Sequence, residues 1–374
     1  MSSLAPPPMA TTSRRLHSLD ALRGFDMFWI VGGSSFVAAV AETTDNGVVR
    51  AIEAQTHHVE WNGFSLWDLI FPLFLFIAGA ALPYSLAARR AAGDSRRTMA
   101  TKIVRRGASL VLLGLVYNGL FTFDFANLRC ASVLGRIGLG YLGAGLIVVF
   151  APSARAWFAW ALGILVVYCL AMSLIPVPGF GAGNMTPGAT LADYVDRILL
   201  PGRLHHGDRD PEGLLSTVPA IATALFGALA GTFLRANETR GTKGQSIALR
   251  LFAFGVLGLA LGSLWGRFFP INKNLWTSSF VLWTSGLSAI LLASFYLVID
   301  VWHHERWAFF FIVLGQNAIT IYLLNRFVDF EGLAHVIFAR GEHALHPAVY
   351  PALAILMRWA MLYGMYRKKI FLRV

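Results

Sequence analysis

Two adjacent histidines, His57 and His58, stand just before a long apolar run in HHVEWNGFSLWDLIFPL, and Asp68 follows on the same stretch. Imidazole is the side chain best suited to proton transfer near neutral pH, and it can also accept an acyl group as a nucleophile. A carboxylate on the adjoining helix would fix its tautomer. The competing reading is structural: the histidines sit in a solvated loop, and Ser65 and Asp68 have the S-x-x-D spacing of a capping box. Two further pairs, His205–His206 and His303–His304, raise the possibility of zinc. Adjacent imidazoles point apart, and no thiolate or second spaced ligand set accompanies them, so no metal is expected.

Other polar residues lie in apolar surroundings, where charge is costly and usually faces an interior or a cavity. Asp20, Arg23 and Asp26 in SLDALRGFDMFW are spaced by threes and share one side of a helix. They read either as an internal pair with interfacial snorkelling or as an anion site for a cytosolic ligand. Arg136 falls one turn inside SVLGRIGLGY, near Arg129. Gln316, Asn317, Thr320 and Asn325 fall within LGQNAITIYLLNRF, where interhelical hydrogen bonding is the default role.

The elements that must carry these residues follow from composition. With 56% hydrophobic and 14% charged residues in 374, the chain is too apolar for an ordinary soluble domain. Helices of about 20 residues are needed to cross a membrane, and such stretches fall near 19–41, 66–88, 101–120, 131–150, 156–175, 214–234, 247–269, 276–300, 307–327 and 347–365. Runs such as LFLFIAGAALPYSL are continuous rather than alternating, which excludes a β-barrel. The predicted fold is an all-α integral membrane protein, a bundle of about ten (10–11) transmembrane helices.

The net charge of +11 could suggest nucleic acid, but its distribution excludes that reading. Arg14 and Arg15, RRAAGDSRRTMATKIVRR, RANETRGTKGQSIALR and YRKKIFLR fall on one side of the alternating topology, and the opposite loops are poor in basic residues. This is the positive-inside pattern, and it predicts both termini in the cytoplasm and His57 and His58 on the exofacial side. The first 16 residues have no apolar core, so no cleavable signal is expected. Residues 1–14 read as a disordered tail, and 15–374 as a single transmembrane domain with a long exofacial loop at 176–213, a length that commonly carries function. The stretch 328–346 reads as holding a short interfacial helix. Cys130 and Cys169 define no disulfide framework.

Taken together, RLHSLDALRGFDMFWI, HHVEWNGFSLWDLIFPLFLFIAGAALPYSL, SVLGRIGLGYL, DPEGLLSTVPAIATALFGALAG and PINKNLWTSSFVLWTSG resemble, in order and spacing, the heparan-α-glucosaminide N-acetyltransferase family. The specificity lies in combining H-x-x-W-N-G, D-L-x-F-P, D-P-E-G-x-L and N-K-N-L-W. The resemblance implies a transmembrane acetyltransferase, acting from cytosolic acetyl-CoA onto a glucosamine-type amine on the exofacial side. The chain looks like the shorter bacterial members, which places it in the bacterial inner membrane and makes a homodimer the family expectation.

The family's active histidine precedes W-N-G by three residues, which implies His58, with Asp68 as its neighbouring carboxylate. Asn62, Asn272 and Asn274 become candidate oxyanion donors, and Arg23, Arg105, Arg106 and Arg136 candidate contacts for coenzyme A. Trp61, Asp210, Glu212 and Lys273 join the acceptor side through the motifs that contain them. One departure is that the animal enzyme has an asparagine near the outer end of the first core helix, where this chain has Ser34 and Ser35. His58 would act either as acetyl acceptor or as general base. An amino-sugar permease is the alternative reading, although no internal repeat supports it; a non-catalytic scaffold or sensor is the third.

Overall fold

The computed structural model describes residues 16–151, 153–338 and 346–372; the tail expected at 1–14 lies outside them. Among the described residues the elements are helical, with two isolated β-bridges. Seven helices are long and apolar enough to cross a membrane: α1 (His17–Glu42), α3 (Leu66–Ala91), α5 (Val133–Phe150), α6 (Ala154–Leu174), α8 (Leu214–Thr239), α9 (Gly244–Trp265) and α10 (Ser278–Val301). An eighth candidate is the pair α11 (Ala308–Gln316) and α12 (Ala318–Phe327), bent by 73° at Asn317.

The count falls short of ten for a physical reason. The segments predicted at 101–120 and 347–365 are helices, α4 (Arg96–Tyr117) and α14 (Val349–Arg367). Arg105 and Arg106 interrupt the apolar run of the first, and the buried Arg358 that of the second. Among the described residues the remaining, shorter α-helices are α2 (Gly47–Ala54), α7 (Leu191–Leu199) and α13 (Phe330–Phe338). The last is the short helix expected at 328–346, and α7 gives regular structure to the predicted loop 176–213.

The most buried face of the bundle is made by α3 and α8. Their backbones meet where Gly79, Gly227 and Gly231 lack a side chain; a Cβ at Gly79 would run into the Ala224 main chain, and one at Gly231 into that of Ala80. In a membrane, small residues of this kind allow close packing and the dispersion contacts that drive helix association. Around this pair Leu75, Leu134, Tyr141, Ala224 and Phe280 join α3, α5, α8 and α10 into one core. A second core joins α1 and α9 to α3, α8 and α10 through Leu22, Phe76, Leu251 and Leu292. The loops before α3 and before α10 therefore emerge side by side from a rigid base.

Candidate active site

The loop carrying His57 and His58 joins α2 to α3. α2 starts at a strong cap, the Asn46 side chain accepting from the Val48 and Val49 amides, and its last turn brings Glu53 against His57 Nε2 at 2.5 Å. That contact turns His57 towards α2. His58 takes a different partner: its Nδ1 lies 2.7 Å from Asp68 Oδ1. Asp68 Oδ2 meanwhile accepts from the Ser65 amide and hydroxyl, both at 3.1 Å, which closes the capping box at the start of α3. The two readings of Asp68 that compete in the sequence are thus both realised, one per carboxylate oxygen. The Asp68 side chain is 1% exposed and that of His58 50%, so a buried, anchored carboxylate orients an imidazole that still faces solvent.

The second wall comes from the loop before α10, more than two hundred residues away in sequence. Gly63 N donates to Ile271 O at 2.9 Å and Asn272 Nδ2 to Asn62 Oδ1 at 3.1 Å, so W-N-G and N-K-N-L-W are bonded edge to edge. Lys273 Nζ lies 2.9 Å from both ring nitrogens of His58 and 3.5 Å from Asp68 Oδ1. Burial pushes the Lys273 ammonium below its usual range, with the Asp68 carboxylate opposing. Asn272 spends its carbonyl on the Leu275 amide and its amide group on Asn62, which makes it a brace. Asn62 is exposed and its amide nitrogen has no bond to a described residue. Asn274 Nδ2 reaches Glu60 O at 3.4 Å.

D-P-E-G closes the third side. Arg129 grips Asp210 with two hydrogen bonds, 2.7 Å from Nε and 2.6 Å from Nη2, and also pairs with Glu212. Burial works against these charges, but the Arg129 guanidinium holds the Asp210 carboxyl below the usual range, and the two carboxylates hold Arg129 above its own. Trp61 Nε1 donates to Met185 O at 2.7 Å, tying the His58 loop to the segment 176–213. Arg136 is buried deeper. It bonds Thr217 Oγ1 at 3.2 Å, contacts the Ser216 hydroxyl, and lies 4.9 Å from the Trp276 ring centroid.

Gly213 leaves room for the Asp196 carboxylate from α7, whose Oδ1 accepts from Leu214 N at 2.8 Å. Burial pushes Asp196 up to about 7, against the Leu214 bond and the Arg136 charge. An unfolded aspartate titrates near 3.9, so the folded chain holds this proton more tightly. The resulting stabilisation is complete below about pH 4 and is lost as pH rises towards 7. Asp196→Asn is expected to melt like the native chain at pH 4 and above it at pH 8, by on the order of a few kcal/mol of stability; thermal unfolding in detergent at both pH values checks this.

At the far end of the bundle is a cavity of about 560 Å³ between α1, α3, α4, α5 and the α11–α12 break. It brings together Arg23, Arg105 and Arg106 and adds Arg89 and Lys102, which in the sequence read as topology signals alone. Arg106 stacks on Tyr141, 4.6 Å from the ring centroid. Gln316 lines the same space, whereas Arg136 does not. Ser34 donates within its own helix, to Trp29 O at 3.3 Å, and has no bond to the His58 cluster among the described residues. Both cysteines are free. Sequence spacing offered no route to the contacts of Lys273 with His58 or of Arg129 with Asp210, since each joins separate motifs; the basic run 89–106 was the available sign of the cavity.

Residues 15–135 match a family described as a domain of unknown function, DUF5009. The human heparan-alpha-glucosaminide N-acetyltransferase is 29% identical over 85% of this chain and 55% of its own length. The mouse protein of the same name is 28% identical over 85% of this chain and 56% of its own. The chain thus spans a little over half the length of these relatives, and by these matches it is similar to heparan-α-glucosaminide N-acetyltransferases along most of its own sequence, as its motifs indicate.

Proposed function

We propose that this chain is a multi-pass membrane N-acetyltransferase that passes the acetyl group of acetyl-CoA to the amine of a glucosamine-type sugar. The observation that carries the reading is the His58–Asp68–Lys273 cluster: a solvent-facing imidazole oriented by a buried carboxylate, with a partly buried amine beside it. Similarity to N-acetyltransferases of that specificity supports the acetyl donor and the acceptor class. The donor's nucleotide would lie in the cavity of Arg23, Arg105 and Arg106, whose guanidiniums suit phosphate. The thioester would extend between the helices to His58.

With Asp68 accepting from Nδ1–H, His58 Nε2 is the basic nitrogen. In direct transfer it removes a proton from the sugar ammonium. The amine then attacks the thioester carbonyl, the C–N bond forms and the C–S bond breaks, and the second proton that the nitrogen sheds on becoming an amide converts the leaving thiolate to the free thiol. In the two-step version Nε2 attacks first, the C–S bond breaks and the thiolate leaves; the sugar in its free-amine form then displaces the acetyl group, the C–Nε2 bond breaks to return the neutral imidazole, and the proton shed by the nitrogen balances the thiolate. Both routes place negative charge on the carbonyl oxygen, for which Lys273 Nζ, 2.9 Å from His58 Nε2, and Asn62 Nδ2 are the candidate donors. The chain is read as one domain in a bacterial inner membrane, with its termini and the arginine cavity on the cytosolic side and a homodimer as the expected assembly.

The test is acetyl transfer from labelled acetyl-CoA to glucosamine by purified chain in detergent, beside uptake of the same sugar into liposomes lacking acetyl-CoA. Labelled N-acetylglucosamine supports the transferase. Saturable uptake without product would favour the permease, for which the broken α11–α12 span is the supporting feature. Within the transferase reading, Arg105→Gln with Arg106→Gln is expected to raise KM for acetyl-CoA about tenfold, with kcat nearly unchanged. Steady-state kinetics with acetyl-CoA varied checks this.

A further inference from the structure

A second basic cavity, of about 410 Å³, lies on the other side of the C-terminal end of α3. Neighbouring residues on a helix point about 100° apart, and here Arg89 faces the first cavity while Arg90 faces this one. Arg235, in the last turns of α8, and Arg240, just beyond its end, complete a mouth of three exposed guanidiniums. No acidic side chain lines the cavity, and none of the ion pairs among the described residues involves these three arginines. The floor is apolar, made by Pro83, Leu86 and Val148 from membrane-spanning helices, with Trp157 at the rim. The hydroxyl of Thr232 lines it too, buried and without a partner among the described residues.

Charge at the mouth decides the ligand class. The carbonyl ends of α3 and α8 each contribute roughly −0.5 of a charge, which three guanidiniums outweigh. The site therefore favours an anion, and guanidinium forks favour phosphate oxygens. The apolar floor then requires hydrocarbon attached to that anion, which a free phosphate lacks. We propose that this cavity binds the phosphodiester of an anionic phospholipid, with Arg90, Arg235 and Arg240 on the phosphate, Thr232 within reach of its oxygens or glycerol esters, and the first acyl methylenes on Pro83, Leu86 and Val148. Basic pockets between spanning helices are a recurrent way of holding such headgroups, and phosphatidylcholine would turn its own cation towards the arginines.

Native mass spectrometry of the full chain from micelles doped with phosphatidylglycerol or phosphatidylcholine tests the site. The native chain is expected to retain phosphatidylglycerol in preference to phosphatidylcholine, with affinity falling about fivefold per arginine removed through Arg90→Gln, Arg235→Gln and Arg240→Gln. Arg240→Gln, beyond the end of α8, serves as the single variant should the triple fail to fold. Coenzyme A should not displace the lipid, because its phosphates belong to the other cavity. Equal retention of the two lipids, or unchanged retention by both Arg240→Gln and a folded triple variant, would overturn the proposal. Displacement by millimolar inorganic phosphate would reassign the mouth to a free anion and equally overturn it.

Discussion

Acetyl transfer by His58→Ala is expected to fall about 10²- to 10⁴-fold, the range contributed by a positioned acid–base group, while His57→Ala stays within about twofold of the native rate. The contrast follows from where the two imidazoles are anchored. His57 Nε2 is engaged by Glu53 on the exposed α2, so its loss removes a surface contact. His58 Nδ1 is held by a carboxylate that also closes the N-terminal turn of α3, which fixes the ring relative to the most buried helix of the bundle. Asp68→Asn separates the two duties of that carboxylate. Asparagine can retain one capping acceptor while losing the charge against which Nδ1–H is oriented, so the chain should remain folded and still be impaired in transfer. Rates with labelled acetyl-CoA, read beside thermal unfolding of each variant, check the set. A His57→Ala loss as deep as that of His58→Ala would reject His58 as the acid–base group.

The helices and half of this site are legible before any coordinates. Ten apolar runs mark ten helical segments because lipid demands long uninterrupted hydrocarbon surface. S-x-x-D marks the start of α3 because the cap is a local hydrogen-bond pattern. What periodicity misses is short or distant. α2 and α7 are amphipathic pieces of between two and three turns, each started by its own cap, Asn46 and Thr190, inside stretches that are polar on average. The break at Asn317 falls at the Gln316–Asn317 amide pair, which the sequence reads as interhelical hydrogen bonding and not as a bend. Arg136 illustrates the limit for function: its depth was readable, but its surroundings are set by α8 and α10, through Thr217 and Trp276. Lys273 and Arg129 acquire their partners only when loops from different ends of the sequence are bonded together, as Gly63 and Ile271 are.

That dependence on distant partners makes Arg129 the largest expected effect on stability. Arg129→Met should cost about 3–5 kcal/mol, the usual cost of removing one member of a buried ion pair and leaving the other uncompensated. Asp210 is the group left behind: its side chain is fully buried, and its remaining bonds, from the His205 and Glu212 amides at 3.0 and 2.9 Å, stabilise the charge without neutralising it. The penalty should therefore depend on pH in a defined direction. Arg129 holds the folded Asp210 carboxyl below the unfolded value, so the pair's contribution is present above about pH 4 and is lost as pH falls through the folded value. Thermal unfolding of native and Arg129→Met chains should differ most at neutral pH and converge in acid, where the variant's orphaned carboxylates are protonated. Adding Asp210→Asn and Glu212→Gln to Arg129→Met should recover much of the loss at pH 7, since what destabilises the single variant is the unpaired charge. A full loss persisting in the triple variant would mean that the arginine acts instead through its packing between the α4–α5 connection and the segment leading into α8.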